Sequence, residues 1–427
     1  MILIYRIITT LIYPILVLII LFRRIIKKED EIRFKEKIFK NYFNVKKIQN
    51  TRLIWFHAAS IGEFKSIIPL IDELNKSQKN IQILITTVTL SSANLAKDEL
   101  ERFENTIHRF FPLDVEFLIK EFLNLWKPSV IFLVDSEIWP NLILSAKSKK
   151  IPLCVINARI TKKSYNRWLV FSKTAKKIFN SINLFLTSNL ETKNFLNNLS
   201  IKNVIYNGNI KFIGQIDTNK TENLNKNILQ KSRFWIAAST HKGEENFCFQ
   251  THLKTKEKYP DLITIIFPRH INRANQIKKL SERYNLNTQI LNKNDVLLEN
   301  KEIIIINTFG ELQKYFHYAK SVFIGKSMIK KLKNQGGQNP IEAAKLDCKI
   351  YHGPYVYNFE EIYEILEKNN ISKKIETPEQ LSFHLVKDLI NLKKEQKDYS
   401  KLVKNLGDKI LVNTMKDINN LMTNEIQ

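Results

Sequence analysis

At 427 residues the chain is too long for one ordinary core, and its composition, 44% hydrophobic and 26% charged, excludes a disordered protein. The formal net charge of +25 comes mostly from lysine spread along the chain and points to an anionic partner: nucleic acid, acidic lipid or a phosphorylated substrate. Cys154, Cys248 and Cys348 lie far apart with no CxxC and no nearby histidine partner, which excludes a disulfide framework and a structural zinc site and implies a reducing compartment.

From Ile7 to Phe22 the chain is almost wholly apolar, interrupted by Thr9, Thr10 and Pro14, and Arg23, Arg24, Lys27 and Lys28 follow at once. The run reaches spanning length only if Met1 to Tyr5 join it and Arg6 snorkels. No small-residue cleavage pattern follows, so an anchor is expected rather than a signal peptide. By the positive-inside rule the basic cluster holds the rest of the chain on the cytoplasmic side, beside an anionic leaflet. Residues 1–50 are therefore read as a membrane anchor and basic linker.

Next come apolar runs that alternate with helical patterns. Leu53 to Phe56, Ile81 to Ile85, Val130 to Val134 and Leu153 to Ile156 read as strands, with weaker candidates near Leu184 and Val204. Such alternation implies βαβ units and a mostly parallel sheet. Residues 51–212 form a first Rossmann-like domain in this reading, and 213–232, rich in Asn, Thr, Lys and Gln, an interdomain linker. A second series follows in residues 233–427: Phe234 to Ala237, Leu262 to Phe267, Ile303 to Ile306, Val322 to Ile324 and Lys349 to Tyr351, ending in helical patterns from Pro378 to Met422. The expectation is an α/β protein of two doubly wound domains facing a cleft.

Several strand-end loops carry polar residues. In His57-Ala58-Ala59-Ser60-Ile61-Gly62-Glu63 the glutamate stands where a buried strand gives way to an amphipathic helix, at the edge where ligands bind in parallel sheets. Ser60 and Glu63 also match a capping box, which would make the carboxylate purely structural. Asp135 and Glu137 emerge from the Val130 strand, where they could hold developing positive charge or simply decorate a helix start. Lys211, in Asn207-Gly208-Asn209-Ile210-Lys211, could meet a phosphate or be a solvated lysine.

In the second half, Ala238 to Glu244 offers backbone amides for an anion, and Arg269 follows a strand after Pro268. Thr308-Phe309-Gly310-Glu311-Leu312 opens a helix at another strand end. The Gly336–Gly337 pair would let backbone approach a ligand, with Asn339 as N-cap, Pro340 in the first helical position and Glu342 closing the cap or accepting from ribose hydroxyls. There is no GxxxxGK[ST] and no compact GxGxxG, so neither a P-loop ATPase nor a standard dehydrogenase is supported. With no DxD-like pair and no His/Cys cluster, no metal and no cofactor are expected.

Taken together, HAASIGE at 57–63, DSEIWPN at 135–141, NAR at 157–159, GNIKF at 208–212, AASTHKGEE at 237–245, PRH at 268–270, FGEL at 309–312 and GGQNPIEAA at 336–344 resemble the 3-deoxy-D-manno-oct-2-ulosonic acid (Kdo) transferases of lipopolysaccharide synthesis. The resemblance runs from the anchor to about residue 370 and implies the GT-B glycosyltransferase fold. It also implies inverting transfer of Kdo from CMP-Kdo to the tetra-acylated lipid A precursor at the cytoplasmic face of a bacterial inner membrane. Carried over residue by residue, Glu63 falls on the general base, and Asp135 and Lys211 on positions that stabilise the transition state, with Glu137 in support. Pro268, Arg269, Phe309, Gly310, Glu311, Asn339, Pro340, Ile341 and Glu342 fall on the CMP site. Two departures stand out: Asp135 replaces a usual glutamate, and Lys326-Ser327-Met328 forms a more basic loop than the family shows. The rival readings are another envelope GT-B enzyme with a different nucleotide sugar, and a membrane-tethered nucleic-acid binder. The latter leaves the strand-end motifs idle, so no nucleic acid is expected as a partner.

Overall fold

The computed structural model describes residues 1–214, 216, 222–392, 394 and 397–423. The chain divides into two units, Met1–Gly214 with Gly407–Gln427, and Gln215–Leu406.

The first unit is built on a parallel sheet of seven strands: β1 (Arg52–His57), β2 (Ile81–Thr87), β3 (Thr106–Phe110), β4 (Val130–Val134), β5 (Leu153–Ala158), β6 (Leu184–Thr187) and β7 (Val204–Tyr206). Their order is β3-β2-β1-β4-β5-β6-β7. Helices cover both faces, so β2, β4 and β5 are buried along their whole length, which is why they read as unbroken apolar runs rather than as alternation. Trp55, Phe122 and Trp126 lie in a large buried cluster of this core. The strand order reverses between β1 and β4, which pair from Ile54 with Val130 to His57 with Leu133. Above their carboxyl ends lies the switch point where parallel sheets open a crevice.

The second unit repeats the plan with β8 (Phe234–Thr240), β9 (Ile263–Pro268), β10 (Thr288–Leu291), β11 (Ile303–Ile306), β12 (Ser321–Ile324), β13 (Lys349–His352) and β14 (Ser372–Lys374). Here the order is β10-β11-β9-β8-β12-β13-β14, again all parallel. Both sheets fit the expected doubly wound α/β class.

Three boundaries differ from the sequence reading. Residues 27–50 are not a free basic linker: Phe34, Ile38 and Phe43 are buried, Glu36 accepts from Arg33 and from the Phe110 amide, and Lys37 pairs with Glu29. Its charges looked solvated in sequence because their burial depends on the first unit they pack against, where Glu36 meets the Phe110 amide and Lys37 the Val88 carbonyl. Of the expected linker 213–232, residues 215 and 217–221 lie outside the described residues. From Asn223 onward, however, the chain packs into the second unit: Asn225 Oδ1 accepts from the Leu297 amide at 2.8 Å, and Leu229 of the Lys226–Lys231 helix is buried. Finally, the Tyr399–Thr423 helix does not belong wholly to the second domain. From Gly407 it returns to the first unit, where Asp417 accepts from Asn207 at 2.8 Å, the Met422 carbonyl accepts from Arg52 at 3.1 Å and Ile410 abuts Gly208.

Candidate functional site

Glu63 sits in the first turn of the Ile61–Ser77 helix, just beyond β1. The capping box is real: the Glu63 amide donates to Ser60 Oγ at 3.3 Å, while the Ala59 amide donates to Glu63 Oε2 at 2.7 Å and Ser60 Oγ donates to Oε1 at 2.8 Å. The reciprocal bond reaches Ala59, one residue before the N-cap. Burial is the largest influence on the carboxyl and raises it, the Ser60 bond pulls it down, the neighbouring charges of Glu137 and Asp135 raise it and the Ala59 bond lowers it, for a net value of about 7. A structural cap bonded to two donors would ordinarily be acidic. This one is balanced near neutrality, as a proton acceptor needs to be.

Asp135 and Glu137 leave β4 on the other side of the switch point. Asp135 has φ 64°, a left-handed conformation that short polar side chains tolerate better than long ones. That geometry suits an aspartate better than the longer glutamate that the resemblance led one to expect here. Its Oδ2 lies 3.4 Å from Lys211 Nζ, and its backbone N–H donates to the Ile156 carbonyl at 2.9 Å. Lys211 is carried by a short 3-10 turn, Ile210–Phe212, held from beneath by buried Asn157, whose Oδ1 accepts from the Ile210 amide at 3.0 Å. The structure thus brings Glu63, Asp135, Glu137 and Lys211 together at one end of one sheet, although 148 positions separate Glu63 from Lys211 in sequence, counted as 211 − 63.

Two further residues shape this cluster. Trp139 Nε1 donates to Glu137 Oε2 at 2.8 Å. Fully buried His57 turns Nε2 toward the same oxygen at 3.4 Å, while its Nδ1 lies 3.0 Å from Thr86 Oγ1 and its ring stacks on Phe111. Both stand in motifs quoted above, yet neither carried a role, because a single sequence does not report which carboxylate a strand-end histidine meets.

In the second unit, the expected CMP residues lie at strand ends, loops and a helix start along the carboxyl edge of the sheet. Pro268 ends β9 and pairs with Thr240; Arg269 is exposed, and its amide donates to the Thr240 carbonyl at 3.0 Å. Phe309 is 67% exposed beyond β11, Gly310 has φ 82°, and Glu311 pairs with Lys314 at 2.9 Å. Asn339 Oδ1 accepts from the Ile341 amide at 3.0 Å, and the helix starts at Ile341, one residue later than the sequence reading placed it. Pro340 and Ile341 are buried, whereas Glu342 is partly exposed.

Two readings in this unit are corrected. Within 238–244 three amides are already bonded to the protein itself: the His241 amide donates to the Glu244 carboxylate at 2.9 Å, the Gly243 amide to the Glu245 carboxylate at 3.2 Å and the Glu244 amide to the His241 carbonyl at 2.9 Å. Buried Glu244 also accepts from the amides of Lys326, Ser327 and Met328 at 2.7 to 3.0 Å, which organises the basic loop that departs from the family pattern. The Gly336–Gly337 pair makes room for backbone, but for this chain's own. A Cβ on Gly336 would stand 2.1 Å from the Tyr355 carbonyl oxygen, and Gly337, at φ 88°, donates to the Lys326 carbonyl at 2.7 Å.

Comparison with known proteins agrees with this arrangement. A family model described as 3-deoxy-D-manno-octulosonic-acid transferase matches residues 33–213, nearly all of the first unit after the N-terminal helix. A probable mitochondrial 3-deoxy-D-manno-octulosonic acid transferase of Arabidopsis thaliana is 31% identical over 86% of this chain and 84% of its own length. The 3-deoxy-D-manno-octulosonic acid transferase of Rickettsia typhi is 32% identical over 79% of this chain and 72% of its own. Among solved structures, a UDP-GlcNAc 2-epimerase from Neisseria meningitidis aligns with TM-score 0.57 over 88% of this chain and all of the other, at 15% identity, a likeness of fold alone. With two parallel seven-stranded units of GT-B type and relatives matched over most of their length, this chain belongs to the 3-deoxy-D-manno-octulosonic acid transferase family.

Proposed function

We propose that the protein transfers Kdo from CMP-Kdo to a hydroxyl of the tetra-acylated lipid A precursor with inversion, at the cytoplasmic face of a bacterial inner membrane. The observation that carries this reading is the Glu63 carboxyl, bound to two donors yet held near pH 7 beside Asp135 and Glu137. As the acceptor oxygen bonds to the anomeric carbon, Glu63 takes its proton and the bond from that carbon to the CMP phosphate breaks. The anomeric centre becomes oxocarbenium-like, and the negative charge of Asp135 and Glu137 favours that state. Lys211 holds Asp135 in place and offsets part of the carboxylate crowding.

In the second unit, Arg269 and the Phe309–Glu311 and Asn339–Glu342 loops would hold CMP, with Arg269 the exposed cation nearest the end of β9. The N-terminal helix is long and apolar enough to cross a membrane, and the +25 net charge favours an anionic leaflet and a phosphorylated glycolipid. The test is incubation with CMP-Kdo and the tetra-acylated precursor, with product masses read directly. A mass increase of one or more Kdo units is expected. No Kdo product, or transfer from another nucleotide sugar instead, would overturn the assignment.

A further inference from the structure

The Ile2–Ile25 helix is amphipathic the wrong way round for a helix on a water-soluble surface. The side turned to the protein carries its polar groups. Tyr5 donates to Asp114 Oδ2 at 2.9 Å, Thr9 accepts from Asn141 Nδ2 at 3.3 Å, Tyr13 donates to the Ile38 carbonyl, and Arg6 pairs with Glu116 at 3.2 Å. Ile20, further along the same face, packs against Phe34 and Ile38. The opposite side carries Leu3, Ile7, Leu11, Ile15, Leu18 and Phe22, a continuous apolar stripe in which Leu11 is 71% and Leu18 65% exposed. Phe117 of the Glu116–Trp126 helix, packed edge-on against Tyr13, extends it. A stripe of this length does not face water.

Length and apolarity alone fit a spanning helix. The docking does not. The contacts run from Tyr5 to Ile20, roughly 22 Å along the axis at 1.5 Å per residue, most of the thickness of a hydrocarbon core. A helix that crossed the bilayer while docked would carry Asp114, Glu116 and Asn141, with the folded surface around them, into lipid. Asp114 cannot easily be given up, since it also caps the Pro140–Ser148 helix, accepting from the Asn141 and Leu142 amides at 3.0 and 2.9 Å.

We propose that this helix lies in the plane of one anionic leaflet, its polar face docked on the first unit and its apolar face among the acyl chains, and does not cross the bilayer. Lys27 and Lys28, exposed just beyond it, meet lipid phosphates. The Tyr5–Asp114–Asn141 joint supports the helix that follows the Asp135–Glu137 loop, so leaflet and acidic loop share one strut. The inference rests on the membrane attachment proposed above but is separable from it.

The test uses full-length protein purified from membranes and reconstituted into phosphatidylethanolamine–phosphatidylglycerol vesicles, with a fluorophore on Leu3→Cys, Leu11→Cys or Leu18→Cys. All three sites face away from the protein, and the native cysteines are buried. Depth is read by quenching with lipids spin-labelled at shallow or deep acyl positions. The expected result is one shallow depth for all three labels, within about 5 Å. A spanning helix would place Leu11 near the bilayer centre and Leu3 close to a surface, which overturns the proposal while leaving attachment intact. Protein that stays in the supernatant with no quenching at any label overturns both.

Discussion

The two units place a glutamate at the same point of the same design, the first turn of the helix that follows the first strand of a doubly wound sheet, and surround it in opposite ways. Glu244, after β8, is buried and accepts from four backbone amides in three consecutive positions of one loop and at His241. It welds its switch point shut. Glu63, after β1, accepts from one amide and one hydroxyl, keeps part of its surface open, and stands beside two other carboxylates. Burial raises both groups, but only Glu63 combines a value near neutrality with access for a substrate. Position at a carboxyl edge therefore does not by itself leave a carboxylate available to a substrate; what its oxygens are already bonded to matters as much.

The comparison is broken most directly by Glu63→Gln. Glutamine can still accept from Ala59 and meet Ser60, so the melting temperature should barely move at pH 5, while turnover at pH 8 falls roughly 10² to 10⁴-fold with CMP binding retained. Near-normal turnover in the folded variant would move the base to Asp135 or Glu137. The opposite signature is expected of Glu244→Ala. Four buried amides lose their acceptor, so denaturant titration should show a loss of about 2–4 kcal/mol in the second unit's stability. An unchanged midpoint would mean that the 326–328 loop does not depend on this carboxylate.

A pH series sharpens the contrast further. With the carboxyl at about 7, the rate should decline as pH falls through 7, since the base must be ionised, and a rate flat from pH 6 to 8 would contradict that value. The stability sign runs the other way. A folded-state value above the usual 4.5 stabilises fully below about 4.5 and loses its effect as pH rises through about 7. The melting temperature of Glu63→Gln should therefore gain on that of the unaltered protein between pH 5 and pH 8. The smallest effect belongs to Ser60→Ala. It removes a bond that lowers the carboxyl's value, so the rate limb should shift upward in pH with less than about a tenfold loss of turnover at pH 8. A limb that stays in place would show that Ser60 does not tune the group.

Much of the sheet architecture was legible, and what escaped did so for one reason. The central strands, buried on both faces, announce themselves as apolar runs such as Val130 to Val134 and Ile303 to Ile306. The strands not anticipated, β3, β10 and β14, all lie at sheet edges, and the fourth edge, β7, was only a weak signal. β3 carries His108 and Arg109, and β14 is Ser-Lys-Lys, because an edge strand has one neighbour and less apolar surface to bury. Of the site, the motif residues were visible as polar groups at strand ends. The roles of His57, Trp139 and Asn157 were not, because each acts on a residue that only folding brings within reach.

By itself the sequence determined the two-unit α/β plan, the family, the apolar helix and the capping box at Ser60 and Glu63, all properties written in spacing and local chemistry. Only the tertiary structure decided that the Glu63 cap stands beside Asp135 and Glu137 with its carboxyl raised to about 7, that Glu244 and the Gly336–Gly337 pair serve this chain's own backbone, and that the last helix returns to the first unit. It also decided which face of the N-terminal helix is already occupied. The physical reason is common to all of these: periodicity records which residues avoid water, whereas a carboxylate's proton affinity and a helix face's partner depend on groups far along the chain.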